Sequence, residues 1–408
     1  MLDDSRFDPC TPWPYNARTS MHASLDVLIV GAGPGGLFMA ARLAEKGLRT
    51  LACEEHARVG DPVHCTGVLS TDSFHTFGLP TDATLNHLTA VRFVSPGGIP
   101  VDYTTPSPLA TVIDRPSFDR ALAARAVAAG AEVRTGARVA TLECDATGVQ
   151  AIVGGVLVRA RLAVLACGAT YAFQRRFDLG LPRTHLHTAQ RELPASRLGD
   201  VEVHFVQDVA PGGFAWAVPV VRPEGGYVRI GAMASRDSVG CYARMLDRVR
   251  VRWGVGAAPL PPPRQKILPL GAIGRTDGDR LLAIGDAAGL VKPTTGGGIH
   301  YSILSAALAA EVAADALARD RLDAETLSRY ERAWRAELAE EFEAQHALRD
   351  VAAKLSDDAI DSFFELAHTD GIMPILRATA RFNQHRPFIR ALFKHPPARR
   401  ILFRTFVA

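Results

Sequence analysis

The feature that most constrains this 408-residue chain is a short apolar run, Leu25–Val30, that ends directly in Gly31-Ala-Gly33-Pro34-Gly35-Gly36. Leu37 to Lys46 then follows with helical periodicity, Gly47 stops it, and Leu48–Cys53 is apolar again. Strand, glycine turn, helix and strand in that order make a βαβ unit, and so a parallel sheet. Glycines at 31, 33 and 36 allow the tight turn and let backbone amides approach a pyrophosphate at the helix N-terminus. Glu54 ends the second strand at the distance expected of an acid that holds a ribose hydroxyl. Glu55 competes for that role, but strand alignment favours Glu54. The plain alternative is an ordinary tight glycine turn. No second GxGxxG follows a strand, so one dinucleotide is supported, and a nicotinamide dehydrogenase with a separate catalytic domain stays open on this motif alone.

A second glycine-rich helix entry narrows the choice. The strand Leu281–Ile284 leads into Gly285-Asp286, and Pro293, Gly297, Gly298 and Ile299 open an alanine-rich helix over 297–318. Asp286 could accept from a ribityl hydroxyl. The helix amides beyond it could face a flavin ring and stabilise negative charge on its N1–C2 carbonyl. A glycine turn that serves packing alone is the alternative.

The rest of the chain supplies a frame. Segment 91–105 alternates like a hairpin with its turn at Pro96-Gly97-Gly98. Phe118 to Gly130 is an alanine-rich helix, Ala160–Cys167 a strand, 200–235 a set of antiparallel strands, and Pro259–Pro263 a stiff linker. Leu327, Tyr330, Trp334, Leu338 and Phe342 place an apolar face on a later helix, and Ser356 caps another that ends at Gly371. A composition of 48% hydrophobic and 22% charged residues excludes disorder. A net charge of +3 is too balanced for a nucleic-acid binder. Six cysteines without a CxxC pair indicate a reducing compartment. The acidic, proline-containing residues 1–24 are an extension and not a signal peptide. The uncharged run Val27–Ala41 is too short and too glycine-rich to span a membrane, so the expectation is a cytoplasmic protein, soluble or peripheral.

Taken together, Gly31–Gly36, Glu54, Gly60-Asp-Pro-Val-His64-Cys65-Thr66-Gly67, Asp114-Arg115-Pro-Ser-Phe-Asp119, Phe214-Ala-Trp216-Ala-Val218-Pro219 and Gly285–Ile299 resemble the geranylgeranyl reductase family of FAD enzymes, within the group built like p-hydroxybenzoate hydroxylase. The resemblance covers nearly the whole chain from Leu25. It implies FAD as cofactor and reduction of isolated carbon–carbon double bonds in prenyl chains, with hydride from flavin N5. It places Cys65 and Thr66 near the isoalloxazine ring, with Cys65 or water as proton source and His64 as a second donor candidate. Arg115 is placed toward the pyrophosphate and Val139 beside the adenine, while Phe214, Trp216, Val218 and Pro219 are implied to line the prenyl site. A buried small hydrophobe is the plain reading of Cys65, a solvated side chain that of Arg115, and a packed sheet face that of Phe214, Trp216 and Val218. Two departures stand out: the family's tryptophan motif usually has an aromatic residue where Val218 stands, and Ala166-Cys167-Gly168 lacks the Asp-Gly of related hydroxylases. The second leaves the electron donor open between NAD(P)H and a quinol-linked or ferredoxin-type partner.

The expected fold class is therefore mixed α/β: a Rossmann-like FAD-binding domain (25–85, 110–170 and 266–325) interleaved with an antiparallel-sheet substrate domain (86–109 and 171–265), then a helical region over 326–408. Metal binding by His185 and His187 lacks supporting ligands, no Gly-x-Ser-x-Gly elbow offers a nucleophile, and the absence of lysine between 46 and 266 disfavours halogenation. A flavin monooxygenase of a small aromatic or apolar substrate and a non-catalytic lipid-binding flavoprotein are the rival functions. Residues 371–408 hold eight of the 46 Lys and Arg and none of the 43 Asp and Glu, interleaved with aromatic and aliphatic residues. Such a tail can lie on an anionic bilayer or pack as a helical lid with its charges in solvent.

Overall fold

A computed structural model describes residues 25–369 and 371–403. The expected 1–24 extension, Arg404 and Phe406 lie outside them. The elements run β1 (Leu25–Val30), α1 (Pro34–Glu45), β2 (Thr50–Cys53), β3 (Val68–Ser70), α2 (Thr71–Phe77), β4 (Thr84–Leu88), β5 (Ala90–Val94), β6 (Pro100–Thr104), β7 (Ala110–Ile113), α3 (Arg115–Ala128), β8 (Glu132–Arg134), β9 (Val139–Asp145), β10 (Gly148–Val153) and β11 (Val156–Leu165). Then come α4 (Ala172–Arg176), β12 (Thr184–Pro194), β13 (Val201–His204), β14 (Phe214–Arg222), β15 (Gly225–Ala234), α5 (Ser238–Trp253), β16 (Arg264–Leu270), β17 (Asp277–Gly278) and β18 (Leu281–Ala283). After a 3-10 turn at Gly285–Ala288, the chain is helical: α6 (Ile299–Ala318), α7 (Ala324–Ala352), α8 (Asp357–Thr369), α9 (Ile372–Thr379), α10 (Arg386–Lys394) and α11 (Pro396–Phe403).

β1 is buried along its whole length because it lies between two parallel neighbours, β2 and β11. Strands buried on both faces read as near-continuous apolar runs, and Leu25–Val30 is one but for Asp26, whose carboxylate pairs with Arg49. The sheet continues in the order β17-β18-β11-β1-β2-β8, with the β9–β10 hairpin paired to β11. Helices α1 and α6 pack on it in one large core that includes Leu28, Leu37, Leu43, Tyr301 and Ala309. α6 is long and apolar enough to cross a membrane by composition alone, yet Ile303, Ala306, Ala310 and Ala313 are fully buried inside this core.

A seven-stranded sheet, β16-β12-β15-β14-β13-β5-β6, forms the second layer. It is antiparallel except where β13 runs parallel to β5. Period-2 alternation divides its residues. Ala215, Ala217, Ile230 and Ala232 pack on α5, while Trp216, Val218 and Met233 face the other way with Leu186 and Val112. The expected boundary between 265 and 266 falls inside β16, which is bonded to β12 from Leu270 back to Arg264 and so belongs to this sheet. The expected boundary after 85 likewise cuts β4, which with β3 and β7 makes a small sheet between the two layers.

The basic C-terminal segment folds inward. Ile389, Leu392, Ala398 and Leu402 are buried with Val101, Val351 and Phe364, so the apolar faces of α10 and α11 are already covered by protein. Arg377, Arg381, Arg390, Lys394, Arg399 and Arg400 remain exposed.

Candidate active site

The turn after β1 separates two kinds of glycine. Gly31 has φ +108°, and a side chain there would collide with the carbonyl of Ala166 at the end of β11. Gly33 is the N-cap of α1, has ordinary extended backbone (φ −80°, ψ −177°), and an added Cβ would meet nothing within 4 Å. Gly31 is thus required by the fold, whereas Gly33 borders open space at a helix N-terminus with no side-chain cap. Glu54 lies at the end of β2 and accepts from the Ala32 amide at 3.2 Å and the His56 amide at 3.1 Å. Pro34, Gly35 and Gly36 form the first turn of α1, and Val139 begins β9, buried, opposite Val153.

The second glycine-rich segment faces the same space. Gly298 caps α6, again without a side-chain cap. Asp286 sits so close that a Cβ on Gly298 would stand 2.6 Å from its Oδ1. Its other carboxylate oxygen pairs with Lys266 Nζ at 3.2 Å. Two uncapped helix N-termini, an acid beside each and open room over Gly33 suit an elongated, doubly phosphorylated dinucleotide such as FAD. The residues present fit the group.

The loop His64-Cys65-Thr66-Gly67 is tied through Thr66 to the apolar face of the seven-stranded sheet. The Gly67 amide donates to Cys65 Sγ at 3.3 Å, and Thr66 Oγ1 donates to Gln190 Oε1 at 2.8 Å. Arg115, expected as a solvated or pyrophosphate-side residue, is mostly buried, bonds Asp119 at 2.9 Å and faces the Cys65 thiol. Burial, then the cations Lys266 and Arg264, hold His64 below the ordinary histidine range, so it is neutral at pH 7. Its Nδ1 is buried without a partner. Behind the loop, Phe214, Trp216 and Val218 share one sheet face with Met233 and Leu268, and Trp216 meets Phe214 edge to face at 5.9 Å. Pro219 falls on the opposite, α5-facing side by the same alternation. That separates it from the other three members of its motif.

Several side chains escaped the sequence reading. Lys292, inside the Gly285–Ile299 segment, is 2% exposed. Its Nζ donates to the Phe382 carbonyl and to Asn383 Oδ1, both at 2.7 Å. Asn383 also bonds Ser70 and His300, and Glu341 of α7 accepts from the Arg386 amide at 3.1 Å. The segment 382–386 is therefore pinned to the loop that opens α6. The available signal was a lone lysine in the apolar run Leu290-Val-Lys-Pro293. Gln190, Glu192 and Arg229 were also missed. For Arg229 the signal was a lone charge in the otherwise uncharged strand β15; β12, which carries Gln190 and Glu192, is polar along much of its length and gave none. His185 and His187 stack edge to face at 5.4 Å. Among the described residues no group of three metal-ligating side chains occurs.

Comparisons with known proteins agree in direction. Residues 24–169 match the FAD binding domain family, and residues 204–385 match the lycopene cyclase protein family. A digeranylgeranylglycerophospholipid reductase of Methanocaldococcus jannaschii is 30% identical over 394 residues, covering 90% of this chain and 97% of that protein. A second reductase of that name, from Methanothermobacter thermautotrophicus, is 29% identical and covers 83% and 90%. Among solved structures, a geranylgeranyl bacteriochlorophyll reductase-like protein of Thermoplasma acidophilum superposes with a TM-score of 0.81 at 21% identity, covering 92% and 97%. The halogenase PltM in complex with FAD superposes at 0.67 and 16% identity, covering 91% and 86%. At such identities these structures speak for the fold.

Proposed function

The chain belongs to the geranylgeranyl reductase family of FAD-dependent oxidoreductases, and from that premise we propose that it reduces carbon–carbon double bonds in the prenyl chains of an isoprenoid lipid. What supports this reading is that the Cys65–Thr66 loop is bonded through Thr66 to Gln190, on the sheet face that holds the apolar wall of Phe214, Trp216 and Val218. A chain without polar groups needs such a wall. The relatives' name, digeranylgeranylglycerophospholipid reductase, supports a lipid that carries geranylgeranyl chains.

When bound, FAD supplies the hydride. Gly33, Gly35 and Gly36 would present amides to its pyrophosphate, Glu54 would hold a ribose hydroxyl, and Asp286 a ribityl hydroxyl. Pro293, Gly297, Gly298 and Ile299 would shape the entry of α6 beside the ring, with Arg115 next to Cys65 and Val139 farther along the slot. Cys65 would stand nearest the reacting carbon and deliver the proton, directly or through water. His64, neutral at pH 7, has no imidazolium proton to give. Trp216 and Val218 would exclude bulk water from the alkene.

Anaerobic single turnover tests the reading. Holoenzyme reduced with dithionite is mixed with vesicles that contain digeranylgeranylglyceryl phosphate. The oxidised flavin spectrum is expected to return without oxygen, and the lipid to gain two hydrogen atoms across one double bond for each flavin reoxidised. Reoxidation only when oxygen is admitted, with an oxygen atom incorporated into the lipid, would make the protein a monooxygenase, and lipid binding without spectral change would make it a carrier.

We further propose that the protein is cytoplasmic and meets its lipid at a membrane surface. The five described cysteines are free thiols, which suits a reducing compartment. Contact would come through the outward charges of α9 to α11, since their buried apolar residues are already engaged. Basic residues near an anionic surface contribute about 1 kcal/mol each. Neutralising Arg377, Arg381, Arg390 and Lys394 together is expected to lower co-sedimentation with phosphatidylserine vesicles at least about tenfold. Unchanged partitioning would remove the membrane from the proposal. Substitution is the cleaner test, because truncation at 380 would also remove Asn383 from the loop before α6.

A further inference from the structure

We propose that Gln190 and Arg229 are positioning residues that fix the Cys65–Thr66 segment against the reacting centre, a proposal that rests on the reductase reading above. Both lie on the sheet face occupied by Trp216 and Val218. Arg229 is the cross-strand partner of Val218, and Gly231, the partner of Trp216, also pairs with Gln190. Gln190 is 8% and Arg229 5% exposed. A buried arginine is costly unless every donor is used, and an apolar pair of similar volume would often hold a sheet face as well. What this pair adds is geometry.

Arg229 Nη1 donates to the Thr66 carbonyl at 2.5 Å and to the Ile113 carbonyl at 3.0 Å, while its Nε donates to Glu192 at 2.8 Å. One guanidinium thus ties the residue after Cys65 to the residue before Asp114-Arg115. Gln190 takes the same Thr66 by its hydroxyl at 2.8 Å, so carbonyl and side chain are gripped from one sheet. The clamp is continued by Arg222, which bonds Glu192 at 2.6 Å and Asp114 at 3.1 Å. Asp114 in turn caps α3, whose first residue is Arg115. Both flanks of the Cys65 thiol are therefore referenced to the sheet that would carry the prenyl chain.

Gly67 completes the arrangement. It has φ +70°, and a Cβ there would stand 2.6 Å from Arg229 Nη1 and 2.7 Å from the Ile113 carbonyl. The guanidinium occupies the room that a side chain would need. Arg229 touches none of the reacting atoms; it acts through Thr66.

Three holoenzyme variants test this: R229K, the pair R229M/E192Q, which leaves no orphaned charge, and Q190L. Amide hydrogen exchange is read over residues 62–67, alongside anaerobic reoxidation by digeranylgeranylglyceryl phosphate vesicles. R229M/E192Q is expected to exchange about tenfold faster in 62–67 with the sheet strands unchanged. Its reoxidation rate should fall by about 100-fold, the cost of an ångström of misplacement, with little change in lipid concentration dependence. R229K should recover part of both effects, and Q190L should show a smaller one. Wild-type exchange in 62–67 for the double variant, or a rate loss confined to lipid affinity, would overturn the clamp. The exchange arm needs no turnover. If wild-type enzyme fails to reduce the lipid while exchange responds as expected, the substrate reading falls and the clamp stands.

Discussion

Gly33→Val is expected to yield a folded protein that purifies without its yellow cofactor. The backbone at Gly33 is extended, the region a residue before proline prefers, so valine adds no strain. Nothing lies within 4 Å of the new Cβ, so the apoprotein should melt with wild-type apoprotein. The branched side chain instead fills the space over the first turn of α1, where a pyrophosphate must approach the amides. Charge-assisted hydrogen bonds contribute about 1.5–3 kcal/mol each, so loss of one or two lowers FAD affinity by at least about tenfold. Gly31→Val is the instructive contrast. There φ is +108° and the side chain meets the Ala166 carbonyl, so strain of about 1–3 kcal/mol joins a backbone collision and the fold itself should suffer. Fluorescence titration of apoprotein with FAD, beside a melting curve, separates the two. Stoichiometric FAD in Gly33→Val would show that the slot lies elsewhere.

That contrast marks how far the sequence reaches. Both glycines stand in one motif and look alike as letters. The first βαβ unit was legible because a strand buried on both faces is written as a near-continuous apolar run, broken here only by Asp26, and its turn residues tolerate few substitutes. The rank of Phe214, Trp216 and Val218 on one face followed from strand alternation, which also sets Pro219 apart. Lys292, Gln190 and Arg229 were not legible in the same way. Their partners, Asn383, Thr66 and Ile113, lie between 91 and 163 residues away for the arginine and lysine contacts, and no local period encodes such a pairing. The tail left two readings open for a related reason. Apolar residues among basic ones describe a helix with two faces, but pattern alone does not say whether the apolar face meets lipid or, as here, Val101, Val351 and Phe364.

Replacing Lys292 by methionine is expected to change how stability depends on pH. Burial is the main cause that pulls the Lys292 ammonium down to about 7, with Glu341 opposing it. The unfolded chain keeps an ordinary lysine near pKa 10.4. Between these values the unfolded state binds the extra proton, so the unfolding free energy contributed by this group rises with pH. The slope approaches about 1.4 kcal/mol per pH unit, or roughly 4 kcal/mol across the window. Groups packed around Lys292 leave the window clear. His300 and His385, held at about 4 chiefly by burial and then by the lysine itself, titrate below it, and burial lifts Tyr301 above it. Cys53 and Cys144, pushed up to about 12 by burial, act in the opposite sense above pH 8.5, but they are common to both proteins and cancel in the difference. Denaturant unfolding of wild type and Lys292→Met at pH 7, 8.5 and 10 therefore isolates one group: the wild type should gain on the variant at each step. Parallel profiles would mean that Lys292 titrates normally and holds Asn383 as a charged ammonium across this range.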